Sequence, residues 1–174
     1  MGLSERLENV TVIGAGGKMG SGIALLLAVE AAKRRIGPEG KTRKFRLNLM
    51  DTRDDALDAL VEYIRSQALK IAEKSTVELR RLYADREDLV ENGEIIREFV
   101  TECTRGIRLS TDLSVAKDSK MVFEAIIENE DVKIGVYKKL EEICPADTFF
   151  LTNTSSVPIG FLDERAGLEG RLIG

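Results

Sequence analysis

Residues Val10 to Ile13 (VTVI) run directly into Gly14-Ala15-Gly16-Gly17-Lys18-Met19-Gly20-Ser21-Gly22, and an apolar stretch with Ile23, Leu26 and Leu27 follows. A β-branched run that ends on glycines reads as a buried strand. The apolar spacing beyond it predicts a helix to about Arg35, stopped by Gly37-Pro38. This order of strand, bare turn and helix constrains the chain more than any other feature. A side chain in the turn would block a ligand from the backbone N–H groups. The helix N-terminus behind it offers unpaired donors and a partial positive charge of roughly +0.5. A turn of this kind suits the pyrophosphate of a dinucleotide. The candidate contacts are Gly14, Ala15, Gly16, Gly17, Lys18, Met19 and Gly20. The frame GxGxxG would need glycine at Met19; Gly14, Gly16 and Gly20 fit GxGxxxG, and Gly14, Gly17 and Gly20 fit GxxGxxG.

Phe45, Leu47 and Leu49 alternate with Arg46, Asn48 and Met50, which predicts a second strand closing on Asp51. A carboxylate there accepts hydrogen bonds from the adenosine ribose and repels a 2′-phosphate, which favours NAD over NADP. Asp51 comes 31 residues after Gly20, because the first helix and the loop behind it are long. The GxGxxxG frame and the cations Arg43, Lys44, Arg46 and Arg53 pull toward NADP. Asp51 could instead cap the next helix. The basic stretch from Lys33 to Arg46 reads as a solvated loop or as a patch for phosphate.

From 53 to 74, Ala56, Leu60, Tyr63, Ile64, Gln67, Ala68 and Ile71 share one helical face. Ser75 with Glu78 predicts a capping box opening another helix, and a third covers about Glu94 to Thr104. The acidic residues from Asp85 to Glu102 are expected on solvated helix faces. Strands are predicted at Ile107–Leu109, Met121–Ile127, Thr148–Leu151 and Leu172–Ile173. A helix over Glu130–Ile143 places Val132, Val136, Leu140 and Ile143 on one side, and Pro158–Leu168 reads as a turn with a short helix. The fold class is therefore α/β: a Rossmann-type doubly wound parallel sheet, with a helical insertion at about 53–105 after the second strand. Residues 1–174 are expected to be one cofactor-binding domain.

Composition excludes several classes. The chain has 26 basic and 30 acidic residues, a net charge of −4, which suits no nucleic-acid partner. The longest apolar run, Ile23 to Val29, is seven residues where a membrane helix needs ~20. Met1 to Asn9 carries no signal-peptide pattern. Histidine is absent, so neither a Ser-His-Asp triad nor a His-bearing zinc site can be completed within these residues. Cys103 and Cys144 lie outside any CxxC and read as reduced thiols of a cytoplasmic protein.

The strings VIGAGGKMGSGIA, VFEAIIENEDVK and FLTNTSS, with Asp51 between the first two, occur in one order over nearly the whole chain. In this the sequence resembles the N-terminal, NAD-binding domain of the L-3-hydroxyacyl-CoA dehydrogenases of fatty-acid β-oxidation. The resemblance implies that the turn Gly14 to Gly20 holds the NAD pyrophosphate and Asp51 the adenosine ribose. It implies that Glu128 meets the nicotinamide-side ribose with Lys133 as its companion, and that Ser155 meets the C3 oxygen of an acyl-CoA substrate. Lys74 falls where the family uses a lysine against CoA; Gln67 falls where a serine is common. The glycine motif carries one residue more than the family's. The family's catalytic histidine, in an HF-x-NP-like stretch, and its helical C-terminal domain, which makes a homodimer, would follow Gly174. Two other readings stay open: a related dehydrogenase of a free hydroxy acid, and a non-catalytic nucleotide-binding module.

Overall fold

The computed structural model describes residues 2–174. In chain order the elements are α1 (Leu3–Arg6), β1 (Asn9–Ile13), α2 (Lys18–Ile36), β2 (Arg46–Met50), α3 (Asp54–Lys74), α4 (Thr76–Leu82), α5 (Asn92–Thr104), β3 (Ile107–Ser110), β4 (Met121–Glu124), α6 (Glu130–Ile143), β5 (Phe149–Thr152), α7 (Ile159–Ala166) and β6 (Leu172–Ile173). The six strands form one sheet in the order β3-β2-β1-β4-β5-β6, and every pair is parallel. The chain builds outward from β1 through β2 to β3, then returns to the other side of β1 for β4. That reversal opens a crevice at the carboxyl ends of β1 and β4, where doubly wound sheets bind ligands.

Helices cover both faces. On one, Val10, Val12, Leu47 and Leu49 pack against Ala24 and Ala28 of α2 and Leu57, Leu60 and Ile64 of α3. On the other, Ile13, Val122 and Phe150 meet Tyr137 and Leu140 of α6 and Leu162 of α7. A third cluster joins α2 to the inserted helices through Ala32, Ala68, Ala72, Leu79, Ile95 and Phe99. The insertion is thus three helices that extend the first layer.

Burial departs from the apolar pattern in ways that matter. In α2 the buried row is Gly20, Ala24, Ala28, Ala32 and Ile36, at strict four-residue spacing, while Leu26 stays 69% exposed. Small side chains let this helix lie close to the sheet. In α6 the buried positions are Lys133, Tyr137 and Leu140; Val132 and Val136, expected inside, border the crevice instead. The strand expected to run to Ile127 ends at Glu124, where the carboxylate Oε1 accepts from the Ile126 N–H at 2.8 Å and turns the chain. Ser75 does not cap α4 with its side chain, and Glu78 pairs with Lys33 at 2.7 Å; the capping box forms at Glu91 and Glu94, opening α5. Nor is every acidic residue of 85–102 solvated: Glu102 is buried and holds Arg35 at 2.9 Å and Arg105 at 2.7 Å.

Candidate cofactor site

The turn after β1 is stitched to its neighbours by its own backbone. The Gly14 and Ala15 N–H groups both donate to the Met50 carbonyl, at 2.9 and 3.0 Å. Gly17 N–H donates to the Gly14 carbonyl at 3.1 Å, and Ser21 N–H to the Gly17 carbonyl at 2.9 Å. Gly14 has φ +76°, and a Cβ there would lie 2.6 Å from the Ala125 carbonyl oxygen. At Gly20 a Cβ would lie 2.8 Å from the Gly14 carbonyl carbon and 2.9 Å from Ala15 Cα. A Cβ on Gly16 would meet Ala56 Cβ at 2.7 Å. Of the two possible frames, GxGxxxG (Gly14, Gly16, Gly20) is therefore the one whose glycines are sterically required; Gly17 is the helix N-cap, and its added Cβ would come no closer than 3.3 Å to backbone.

These bonds leave the N–H groups of Lys18, Met19 and Gly20 without a partner among the described residues, at the head of a 19-residue helix. Three aligned donors and the helix dipole attract an anion. Asp51 stands beside them. Its Oδ2 accepts from the Gly16 N–H at 2.9 Å and its Oδ1 from the Arg53 N–H at 3.3 Å. The N-cap of α3 is Arg53, so Asp51 does not cap that helix; it fixes the turn and borders the crevice. The crevice has a volume of about 720 Å³, within the usual range of small-molecule sites, and its walls include Gly14, Gly17, Asp51, Thr111, Ile126 and Val132.

The basic loop is not part of this site. Residues 37–45 join α2 to the start of β2, at the end of the sheet opposite the crevice. Lys33, Arg34, Arg35, Lys41 and Arg43 each pair with a carboxylate, from Glu78, Glu30, Glu102, Asp85 and Glu8. Those cations hold the fold; among the basic residues weighed against NAD, only Arg53 follows Asp51 at the crevice. Gln67 and Lys74 also lie away from it. They sit along α3 about 20 and 30 Å from its crevice end, at 1.5 Å per residue. Gln67 is half-buried and Lys74 exposed.

Past the carboxyl ends of β4 and β5, at the same edge of the sheet, Glu128 organises the turn that carries Ser155. One oxygen, Oε1, accepts from Ser155 N–H at 3.0 Å, Ser156 N–H at 3.2 Å, Ser156 Oγ at 3.0 Å and Thr154 Oγ1. Those bonds, led by Thr154, hold the Glu128 carboxyl down to about 2. Ser155 is exposed, and its Oγ has no partner among the described residues, so the hydroxyl is available to a ligand. Lys133 stands beside Glu128, as expected, but from within the fold. Its side chain is fully buried, with Nζ 2.7 Å from Glu124 Oε1 and 3.3 Å from Glu128 Oε2, so it is an internal counter-ion rather than a donor displayed in the crevice. Glu124 was not singled out in the sequence, nor were Tyr137 and Thr152, which donate to Glu124 Oε2 at 2.9 and 2.8 Å. A glutamate inside an apolar strand string, nine residues before a lysine, was the available signal.

The residues fit NAD. The cradle is one that a Cβ at Gly14, Gly16 or Gly20 would fill, its free donors suit an anion, and Asp51 is the acceptor a ribose needs. Comparison with known proteins agrees. Residues 9–174 match the family model described as 3-hydroxyacyl-CoA dehydrogenase, NAD binding domain. The chain is 32% identical to the mitochondrial hydroxyacyl-coenzyme A dehydrogenase of Sus scrofa over 97% of its own length and 45% of that protein. It is 27% identical to the peroxisomal fatty acid beta-oxidation multifunctional protein of Oryza sativa, over 97% of this chain and 19% of that one. Among solved structures, the 3-hydroxybutyryl-CoA dehydrogenase of Escherichia coli superposes with TM-score 0.66 at 25% identity, covering 95% of this chain and 28% of that chain. The chain spans less than half the length of each of these relatives. Its glycine cradle, its parallel sheet and a family match that runs from β1 to the last residue lead to one conclusion: this chain belongs to the NAD-binding domain family of the 3-hydroxyacyl-CoA dehydrogenases.

Proposed function

We propose that this chain is the cofactor-binding half of an enzyme that oxidises (S)-3-hydroxyacyl-CoA to 3-ketoacyl-CoA in fatty-acid β-oxidation. The observation that carries this reading is the glycine cradle with Asp51 at the crevice, with the Ser155 turn at the same carboxyl edge of the parallel sheet, where the Ser155 hydroxyl has no partner among the described residues. When bound there, NAD supplies the two-electron acceptor. The N–H groups of Lys18, Met19 and Gly20 hold the pyrophosphate, and Asp51 accepts from the adenosine ribose. Glu128 keeps its charge at neutral pH and holds the Ser155 turn beside the nicotinamide-side ribose. Ser155 Oγ donates to or accepts from the C3 oxygen and fixes its orientation. Gln67 and Lys74 line the path of an elongated CoA along α3.

The Ser155 hydroxyl bonds no base among the described residues, its neighbour Glu128 is held too far down to take a proton, and the chain contains no histidine. The proton acceptor is therefore assigned to a histidine in a further segment, with the helical domain that closes the site and forms a homodimer. Relatives more than twice as long as this chain support that assignment. By itself the 174-residue chain binds NAD without turnover. No helix among the described residues is long and apolar enough to cross a membrane, and the net charge of −4 supports no nucleic-acid partner. A reducing compartment, the cytoplasm, is consistent with two free thiols that burial pushes up to about 12. The test is NADH formation by the protein as encoded by the complete gene, with (S)-3-hydroxybutyryl-CoA and free (S)-3-hydroxybutyrate in parallel. Turnover of the thioester alone supports the proposal. Turnover of the free acid alone assigns the chain to a hydroxy-acid dehydrogenase, and NAD binding without turnover of either identifies a nucleotide-binding module.

A further inference from the structure

The buried side chains behind Glu128 have a role that burial alone does not explain. Lys133 and Glu124 are both fully buried, and Glu124 is saturated by Lys133, the Ile126 N–H, Tyr137 and Thr152. A neutral, well-packed pair would fill this space at no loss of stability. What the charged pair adds is a second contact: Lys133 Nζ reaches past Glu124 to Glu128 Oε2 at 3.3 Å. Thr152 adds a parallel tie, since its Oγ1 donates to Glu124 and accepts from the Thr154 N–H at 3.1 Å. The strand β4, the helix α6 and the end of β5 thus meet at Glu124, and Lys133 carries the connection on to the Glu128 carboxylate. That carboxylate grips Thr154, Ser155 and Ser156 through its other oxygen.

We propose that Glu124, Lys133 and Thr152 are positioning residues that fix the Ser155 turn, the Glu124–Lys133 pair through Glu128 and Thr152 through the Thr154 N–H, leaving the Ser155 hydroxyl free. The inference rests on the reading of Ser155 as the substrate-facing hydroxyl. Its geometry predicts that loss of the buried pair loosens a turn on the surface while the glycine cradle, which shares no bond with that pair, keeps its affinity for NAD.

The experiment is amide hydrogen exchange by NMR on the whole chain, with NAD affinity by calorimetry on the same samples. Glu128→Ala, at a part-exposed position, sets the scale for a released turn. The double variant Lys133→Met/Glu124→Gln removes the charges without leaving either one unpaired. It is expected to speed exchange at Ser155 and Ser156 at least tenfold, to leave Val122 and Leu140 protected, and to keep the NAD dissociation constant within threefold. Thr152→Val tests the direct tie to the Thr154 N–H and is expected to speed exchange with the ion pair intact; if the double variant does not fold, Lys133→Gln, which keeps a donor for Glu124 and removes the charge beside Glu128, carries the same expectation and decides the matter. Unchanged exchange at Ser155 and Ser156 in the folded variants overturns the proposal. So does a tenfold loss of NAD affinity without faster exchange, which would make Lys133 a cofactor contact. Failure of the wild-type chain to bind NAD would instead remove the functional reading and leave the exchange result standing.

Discussion

The sharpest consequence of the turn geometry concerns two glycines two residues apart in α2. A Cβ on Gly20 would lie 2.8 Å from the Gly14 carbonyl carbon and 2.9 Å from Ala15 Cα, and nearer still to the Gly14 carbonyl oxygen. All of these are backbone atoms, so no side chain can turn aside, and α2 must withdraw from the strand by roughly an ångström. Overpacking of that kind costs ~1–3 kcal/mol. Against it stands the helix-propensity gain of alanine over glycine, ~0.8–1.0 kcal/mol. With the backbone fixed on both sides, the overpacking cost is placed at its upper end and Gly20→Ala should lose about 2 kcal/mol. At Gly22 an added Cβ meets nothing within 4 Å, so Gly22→Ala keeps the propensity gain alone and should gain about 1 kcal/mol. At 2–4 °C per kcal/mol for a chain of this size, Gly20→Ala should melt ~4–8 °C lower and Gly22→Ala ~2–4 °C higher. NAD affinity should fall at least ~10-fold, or ~1.4 kcal/mol, in the first and hold in the second. Thermal melts by circular dichroism and NAD titrations read both quantities. A Gly20→Ala protein that melts at or above wild type and binds NAD normally would refute the claim that close helix–strand approach builds the cradle.

Other consequences follow from single groups. Tyr83 is buried with its hydroxyl unpartnered, so Tyr83→Phe should raise stability by up to ~1 kcal/mol in a urea melt; a loss of that size would mean the hydroxyl has a partner. Glu102 is buried between Arg35 and Arg105, and Glu102→Gln should cost about 3 kcal/mol by leaving Arg35 uncompensated, whereas a cost under ~1 kcal/mol would mark the pair as effectively solvated. The Glu128 carboxyl is held near 2 in the fold and has an ordinary value of 4.5. Its stabilising contribution is therefore fully present above 4.5 and lost as the pH falls from there toward 2. Melting temperatures across that window should drop less steeply in Glu128→Gln than in wild type, and parallel curves would contradict the bonding to the Ser155 turn.

The alternation of strands and helices was legible because each element carries its own local signal: VTVI ends on glycines, Pro145 follows α6, and Gly37-Pro38 ends α2. The cradle was legible for the same reason, since bare backbone is written directly as glycine. The choice between Gly16 and Gly17 was not, because it depends on Ala56 and Asp51, more than thirty residues away. Tertiary pairing also hid the roles of the charged residues. Glu102 looks like part of an acidic face until α2 brings Arg35 to it, and Lys133 looks like a surface lysine until the buried Glu124 draws it inside. The basic loop misleads in the opposite sense: seven cations in sequence suggest a phosphate patch, yet the fold sets five of them against carboxylates. Burial in α2 followed alanines rather than leucines because close approach, not apolar area, sets that face.

The most direct test of the central claim is an NMR titration of the chain with NAD, following the backbone amides of Lys18, Met19 and Gly20. Saturable shifts of those three amides, with smaller changes in the basic loop at 37–45, are the predicted result. Binding of NAD that leaves them unmoved, or no binding at all, would contradict the assignment of the pyrophosphate to the head of α2.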